Sequence, residues 1–238
     1  MSKIELYNED CFDTISKLPS KSVDLILTDI PYCVSMDNNF QTMKDRKGRN
    51  GIDFGEWDKH FDVKKLGLFI RLLKPNGSVI IFHSFEQYGD VRSAMERAGL
   101  VCKDKILWQK TNPMPRNRDR RYICDCEMAS WYTFPKSKWT FNRQKDTYES
   151  MVIQYPSESG GAYKRYHPTQ KNVKLMQKLV QIHSNEGEVV FDPFMGSGSV
   201  GIACASTNRY FIGIEIDKKY FEIARNRINE KTFDRLIF

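Results

Sequence analysis

Apolar and polar positions alternate along the chain in a pattern that predicts strands and helices in turn. The runs VDLILTDI and SVIIFHS are continuously apolar and rich in β-branched residues, which is typical of strands buried on both faces of a parallel sheet. Helical spacing of apolar residues is found over 62–73, 85–98, 171–184, 198–206 and 218–229. This alternation predicts an α/β fold, with a mainly parallel sheet covered by helices on both faces.

Further strands are predicted in IELY, LVCKDKILWQK, EMASWYTF, GEVVFDPF and RYFIGIEID. The helix over 62–73 should stop at the breaker KPNG (74–77), and the helix over 85–98 should end at Gly99. Two stretches fit neither element: residues 33–60 are polar and charged, and residues 136–166 are basic, aromatic and irregular. Loops of this length in a compact α/β domain are usually functional or disordered.

The composition is that of a soluble globular protein, because 40% of the 238 residues are hydrophobic and 28% are charged. No apolar run is long enough to span a membrane, and the N-terminus lacks the pattern of a signal peptide, so we expect a cytoplasmic protein. The six cysteines form no CxxC pair and are expected to be free thiols. Cys124 and Cys126 are too close for an ordinary zinc site, so no metal is expected.

The net charge of +7 is concentrated in the middle of the chain, where residues 110–145 alone carry +6. Aromatic residues are interleaved with these basic side chains, a pattern that suits a polyanionic partner. Charge alone favours a solvated basic face equally.

Two segments near the C-terminus suggest a nucleotide-like ligand. The segment FDPFMGSGS (191–199) follows a predicted strand and opens a helix, where glycines allow close approach of a ligand to free amides. It matches neither GxGxxG nor GxxxxGK[ST], which disfavours NAD and ATP. At the end of the next strand, about 20 residues later, Glu215 could accept both hydroxyls of a ribose.

A third segment, Asp29-Ile30-Pro31-Tyr32, ends the other strongly apolar strand. Doubly wound sheets carry their ligand sites at this edge. A carboxylate acceptor, a rigid turn and an aromatic face would make a cradle for a planar amine. A plain turn at a strand end is the alternative for this motif taken alone.

Together these segments resemble the amino-methylating DNA methyltransferases that use S-adenosylmethionine. DIPY is similar to their DPPY tetrapeptide with Ile30 in place of the first proline, and FDPFMGSGS is similar to their DPFxGSGT loop. The segments NEDCF (8–12), WQKTNPMP (108–115), HPTQK (167–171) and IGIEID (212–217) also match family motifs, in one consistent order. The catalytic segment comes first in the chain and the cofactor loop comes last. This order resembles that of the β group, whose sequence is a circular permutation of the common methyltransferase fold.

The resemblance implies a Rossmann-like, seven-stranded, mostly parallel sheet with an antiparallel edge hairpin, in a single domain over 1–238. Its catalytic residues would be Asp29, Ile30, Pro31 and Tyr32. The residues implied to bind S-adenosylmethionine are Asp10, Cys11, Phe12, Asp29, His167, Thr169, Gln170, Lys171, Asp192, Phe194, Gly196, Ser197, Gly198, Ser199, Glu215 and Ile216.

The reaction implied by the resemblance is methyl transfer to an exocyclic amine of a base flipped out of duplex DNA. The DPPY form usually accompanies adenine N6, and SPPY accompanies cytosine N4, so Asp29 favours adenine. Cytosine C5 chemistry is disfavoured, since it needs a cysteine after a proline and Cys33 follows Tyr32. The alternatives are a cytosine-N4 enzyme, an enzyme acting on an RNA amine, and a catalytically inactive DNA-binding relative.

Double-stranded DNA is therefore the expected partner, with 136–166 as a small target-recognition segment. Residues 33–60 either share in recognition or form a polar lid over the cofactor. The expected DNA contacts are Lys44, Arg46, Lys47, Arg49, Arg116, Arg118, Arg120, Arg121, Lys138 and Arg143. A homodimer and a separate restriction endonuclease are further partners that the resemblance leaves open.

Overall fold

The computed structural model describes residues 3–32, 61–114, 119–120, 122–158, 166–167 and 169–237. Its strands are β1 (Ile4–Tyr7), β2 (Val23–Asp29), β3 (Leu73–His83), β4 (Val101–Lys110), β5 (Cys126–Thr133), β6 (Val152–Tyr155), β7 (Val189–Asp192) and β8 (Tyr210–Ile214). Its α-helices are α1 (Cys11–Thr14), α2 (Tyr88–Arg97), α3 (Val173–His183), α4 (Ser199–Ser206) and α5 (Lys218–Ile237).

The eight strands form one sheet in the order β1-β8-β7-β2-β3-β5-β4-β6. Strand β5 pairs antiparallel with both β3 and β4, whereas every other pairing is parallel. The carboxyl ends of the seven parallel strands therefore lie at one edge of the sheet, together with the beginning of β5. We call this the catalytic edge. The mainly parallel α/β sheet with an antiparallel pair is confirmed.

Two hydrophobic clusters cover the two faces of the sheet. One contains side chains of α3, α4 and α5, and the other contains side chains of α1, α2 and a helical segment at Val63–Leu72. Strand β2 contributes to both clusters because its apolar run VDLIL is buried on both faces. Among the described residues, no helix is both long and apolar enough to cross a membrane.

The sheet has eight strands rather than the expected seven, since Val152–Tyr155 adds β6 parallel to β4. This strand lies within 136–166, which the sequence analysis took to be irregular throughout. The run VIQY has only four residues, which is too short for an alternating pattern to identify it as a strand. The backbone of β4 supplies the pairing that the local pattern does not indicate.

The segment expected to be an α-helix over 62–73 is a 3₁₀ helix, Val63–Leu72. Four of its five buried residues, Val63, Leu66, Phe69 and Leu72, recur every three positions, which is the period of that helix; the fifth is Ile70. The breaker KPNG lies inside β3 rather than before it. Val23 pairs with Leu73, and Leu25 pairs with Ser78. The four residues of KPNG between Leu73 and Ser78 therefore lie opposite Asp24 alone and form a bulge in β3.

Helices α2, α3 and α4 begin and end within three residues of the expected positions, whereas α5 continues to Ile237, eight residues beyond the expected end at 229. Residues 85–87 form a turn, and α2 begins at Tyr88. Gly99 follows α2 with a φ of 88°, as expected for a glycine that ends a helix.

Helix α4 is buried on all sides, and Gly201 lies against Ile228 of α5 and Phe211 of β8. A Cβ added there would lie 2.4 Å from Ile228 Cδ1 and 2.8 Å from Phe211 Cε1. Gly89 in α2 would meet nothing within 4 Å.

We therefore expect Gly201→Ala to lower the free energy of unfolding by about 1–3 kcal/mol through overpacking. Gly89→Ala is the matched control and should raise the free energy of unfolding by up to about 1 kcal/mol through helix propensity. Urea denaturation of both variants measures the difference. Equal effects of the two substitutions would contradict the packing of α4 against α5 and β8.

Candidate active site

The site lies where β2 and β7 are neighbours in the sheet. The chain leaves β2 toward β3 on one side and leaves β7 toward β8 on the other, which makes a crevice between their carboxyl ends. A cavity of about 360 Å³ opens there, lined by Asp29 at the end of β2 and Asp192 at the end of β7. The topology thus brings together segments that are far apart in the sequence.

The tetrapeptide DIPY is held at the cavity wall by hydrogen bonds to its backbone. Ile30 N–H donates to Phe82 O at 3.2 Å, and Gln87 Nε2 donates to Pro31 O at 2.8 Å. The Ile30 side chain is buried in the core. Proline at this position could not donate the first of these bonds. The departure from DPPY is therefore compensated by one more hydrogen bond between the turn and β3.

The carboxylate of Asp29 accepts a hydrogen bond through one of its two oxygens. Its Oδ2 lies 2.5 Å from Lys171 Nζ, whereas its buried Oδ1 has no hydrogen-bond partner among the described residues. Lys171 Nζ also donates to the Tyr32 hydroxyl at 3.3 Å. Burial raises the pKa of Asp29 above its usual value, although the Lys171 charge opposes this.

Two residues that the sequence analysis did not select complete a charged cluster around Lys171. Glu127 Oε2 lies 2.9 Å from Lys171 Nζ, and Glu127 Oε1 lies 2.6 Å from Lys110 Nζ. Burial would raise the pKa of Glu127, but the two lysines outweigh it and lower that pKa. Lys171 remains charged, since its two carboxylate neighbours raise its pKa against the effect of burial. Lys110 belongs to the motif WQKTNPMP, to which the sequence analysis gave no site role. No motif marks Glu127, because strand pairing places it there.

The glycine-containing turn after β7 is anchored by the carboxyl group of Asp192. Asp192 Oδ1 accepts from Thr28 Oγ1 at 2.7 Å and from Phe194 N–H at 3.1 Å. Burial raises the pKa of Asp192 to about 7. Gly196 has a φ of 52°, and its N–H donates to Glu215 Oε2 at 3.0 Å. The turn is therefore connected directly to the acid at the end of β8.

Glu215 is held with both carboxylate oxygens engaged. Its Oε2 accepts from Gly196, and its Oε1 accepts from Asp217 N–H at 2.8 Å. Asn8 Nδ2 donates to the Glu215 carbonyl at 2.8 Å and so connects β1 to the same corner. Burial raises the pKa of Glu215. Each carboxylate oxygen has a second lone pair and can still accept from a ligand hydroxyl.

Aromatic rings form the wall of the cavity near the N-terminal segment. Phe12 stacks on Phe69 with centroids 5.4 Å apart, and Phe61 meets Phe194 edge-on at 5.2 Å. Asp10 caps α1 by accepting from Phe12 N–H at 2.7 Å, which fixes the position of the Phe12 ring. These rings provide an apolar slot for a planar group.

The segment HPTQK leads into α3 and lies against the glycine turn. Ser199 Oγ donates to the Lys171 carbonyl at 2.8 Å, and Ser197 Oγ donates to Gln170 Oε1 at 3.4 Å. His167 Nδ1 accepts from Thr169 N–H at 3.2 Å. This packing directs the Lys171 side chain toward Asp29.

All but one of the residues expected to bind the cofactor line this cavity. The exception is Gly198, which precedes α4 with a φ of 83°. A Cβ there would lie 3.0 Å from Ala224 Cβ, so this glycine permits close packing of α5.

The three expected DNA contacts that the structure describes, Arg120, Lys138 and Arg143, do not lie on one surface. Arg120 is exposed and follows β4, whose end is at the catalytic edge. Lys138 and Arg143 lie at the opposite edge. The Lys138 N–H donates to Asn76 Oδ1 near the start of β3. Next to Arg143, the Asn142 N–H donates to the Ile182 carbonyl near the end of α3. The others lie outside the described residues, and these are Lys44, Arg46, Lys47, Arg49, Arg116, Arg118 and Arg121.

Comparisons with known proteins agree with this geometry. A family model described as DNA methylase (N6_N4_Mtase) matches residues 23–226. The Type II methyltransferase M2.DpnII of Streptococcus pneumoniae is 30% identical over 249 residues, covering 95% of this chain and 90% of the relative. The Type II methyltransferase M.HinfI of Haemophilus influenzae is 29% identical, covering 93% of this chain and 67% of the relative.

Solved structures show the same fold. The M1.HpyAVI–SAM complex has a TM-score of 0.74 and 38% identity, covering 95% of this chain and 99% of the other. The cytosine-N4-specific PvuII DNA methyltransferase has a TM-score of 0.73, covering 98% and 91% of the two chains, but at 19% identity it shows the fold alone.

The cavity fits S-adenosylmethionine, the group bound in the M1.HpyAVI complex. The phenylalanine rings suit its purine, the Glu215 carboxylate suits its ribose hydroxyls, and the turn at Gly196 allows close approach of the backbone. The chain belongs to the DNA methylase family and is a DNA methyltransferase that takes its methyl group from S-adenosylmethionine.

Proposed function

We propose that the enzyme methylates the N6 amine of adenine in duplex DNA. The observation that carries this proposal is that Asp29 lines the cavity and that its buried Oδ1 has no hydrogen-bond partner among the described residues. A buried carboxylate oxygen without a partner is costly, and a substrate amine N–H would satisfy it. An aspartate at this position is also the form that goes with adenine in the enzymes this sequence resembles.

The chain's own residues activate the amine by accepting its hydrogens. An exocyclic amine is a weak nucleophile, because its lone pair is delocalised into the ring. Asp29 Oδ1 and the carbonyl of Ile30 would each accept one N–H, which turns the lone pair away from the ring and toward the incoming methyl carbon. The methyl group is supplied by S-adenosylmethionine when it is bound. Asp29 is then placed to take the proton that the methylated nitrogen loses.

Tyr32 provides the surface on which the flipped base would rest. Its ring lines the cavity beside Asp29, and Lys171 fixes its hydroxyl. Flipping a base out of the duplex costs a few kcal/mol, which stacking on an aromatic ring offsets in part. Cys11 takes no part as a nucleophile, because it is buried and burial raises its pKa.

We further propose that the DNA lies across the catalytic edge, because the exposed Arg120 belongs to the connection between β4 and β5, which leaves and re-enters the sheet at that edge. This orientation would bring the phosphates to Arg120 and the flipped base to Asp29. Lys138 and Arg143 at the opposite edge are not part of this surface. A single domain with 136–166 as its recognition segment, a homodimer and a separate restriction endonuclease remain predictions of the family resemblance. The Type II methyltransferases among the relatives support a restriction–modification setting.

Asp29→Ala should lower the rate of methyl transfer by ~10²-fold or more, because the acceptor for the amine is lost near the transition state. Binding of S-adenosylmethionine, followed by calorimetry, should be retained through the other residues of the cavity, while loss of the ion pair with Lys171 lowers the free energy of unfolding. The product is identified by digesting methylated DNA to nucleosides. N6-methyladenine is expected, N4-methylcytosine would contradict the choice of base, and wild-type turnover in the variant would contradict the role of Asp29.

Glu215→Ala should weaken binding of S-adenosylmethionine by about tenfold to a hundredfold, because two hydroxyl contacts to a charged acceptor are lost. The matched control is Asp217→Ala. Asp217 caps α5 by accepting from Lys219 N–H at 2.8 Å, so its loss affects stability rather than the cavity. An unchanged dissociation constant in Glu215→Ala would place the ribose elsewhere.

Arg120→Ala should weaken binding to all DNA sequences alike and reduce the slope of log affinity against log salt by about one. Arg143→Ala removes the same charge at the opposite edge and should leave the slope unchanged. Fluorescence anisotropy at several salt concentrations measures both variants. The reverse result would place the DNA on the other edge of the sheet.

A further inference from the structure

Four charged side chains of alternating sign connect the cavity to the outside of the sheet. Asp29 Oδ2 lies 2.5 Å from Lys171 Nζ, which lies 2.9 Å from Glu127 Oε2, and Glu127 Oε1 lies 2.6 Å from Lys110 Nζ. The side chains of Lys171, Glu127 and Lys110 are 6%, 20% and 17% exposed. We call Asp29, Lys171, Glu127 and Lys110 the charge relay, meaning a series of electrostatic contacts.

The reversed direction of β5 is what places Glu127 in this series. Every parallel strand brings its last residues to the catalytic edge, whereas β5 brings its first, and Glu127 pairs with Trp108 near the end of β4. Lys110 follows Trp108 by two residues on β4 and so points to the same face. The relay therefore extends across the antiparallel part of the sheet, away from the cofactor residues.

We propose that Glu127 is a positioning residue for methyl transfer, which holds Lys171 on one oxygen of Asp29 and leaves the other oxygen free for the amine. This inference rests on the proposed function. Glu127 Oε2 forms an ion pair with Lys171 Nζ at 2.9 Å, so its charge attracts the ammonium from the side away from Asp29. Without that carboxylate, the ammonium would turn fully to Asp29 and compete with the substrate amine for its negative charge.

Because the charges alternate in sign, each of the other three residues either raises or lowers the pKa of Asp29. The charged or titratable groups that face Asp29 are Lys171 from the segment before α3, Glu127 from β5, Tyr32 from its own turn and Asp192 from β7. Burial raises the pKa of Asp29, Lys171 lowers it and Glu127 raises it. Lys110 offsets the negative charge of Glu127 and therefore works against the increase in the pKa of Asp29 that Glu127 causes.

The test measures single-turnover methyl transfer at saturating DNA and cofactor as pH is lowered. The rate falls where Asp29 becomes protonated, because a protonated carboxyl cannot accept from the amine. Glu127→Gln should reduce the rate about tenfold and move this fall to lower pH by roughly half a unit to one unit. Lys110→Gln should move it to higher pH, and Glu127→Asp, which keeps the charge, should restore the wild-type position.

The matched control is Asp24→Asn, five residues earlier on β2, which removes a partly buried carboxylate paired with Lys74 at 2.8 Å. It should leave the fall in rate at the wild-type pH. Should Glu127→Gln fail to fold, the shift in Lys110→Gln decides alone. The inference would be overturned if the pH of the fall in rate stayed unchanged in Glu127→Gln and Lys110→Gln, or moved in the same direction in both. A wild-type enzyme that does not transfer methyl groups to DNA would overturn the proposed function instead.

Discussion

The buried ion pair between Asp29 and Lys171 joins residues 142 positions apart in the sequence and connects the two parts of the site. Asp29 ends the strand that carries the amine cradle, and Lys171 precedes α3 in a segment that is hydrogen-bonded to the glycine turn. Removing one partner of a buried ion pair leaves an uncompensated charge and costs several kcal/mol. The cradle and the cofactor segments are therefore held together by charge as well as by the pairing of β2 with β7.

Asp29 combines two requirements that oppose one another. It needs a cation nearby to remain ionised after burial, and it needs an oxygen that this cation does not occupy. The contact of Lys171 with Glu127 reconciles these requirements, because part of the ammonium charge is directed elsewhere. The same logic explains why Lys110 accompanies Glu127, since a second buried carboxylate would otherwise raise the pKa of Asp29 further.

Backbone hydrogen bonds give the cradle its rigidity. In DIPY the N–H of Ile30 continues the bonding of β2 to β3, and Gln87 holds the Pro31 carbonyl from the turn before α2. The glycine turn is held in a similar way by Asp192 and Glu215, whose carboxylates accept from backbone N–H groups. A site fixed in this way loses little conformational entropy when its ligands bind.

The sequence by itself determined the α/β class, most of the elements and the segments of the site. Apolar periodicity marks β2 and α3 locally, and DIPY, HPTQK and FDPFMGSGS are contiguous motifs. Only the tertiary structure decided the contributions of Glu127 and Gln87, the pairing of Lys110 with Glu127, the strand β6, and the separation of Lys138 and Arg143 from the catalytic edge. The physical reason is that these features depend on pairing between distant strands, and in particular on the reversed direction of β5, which leaves no periodic or local signal in the chain.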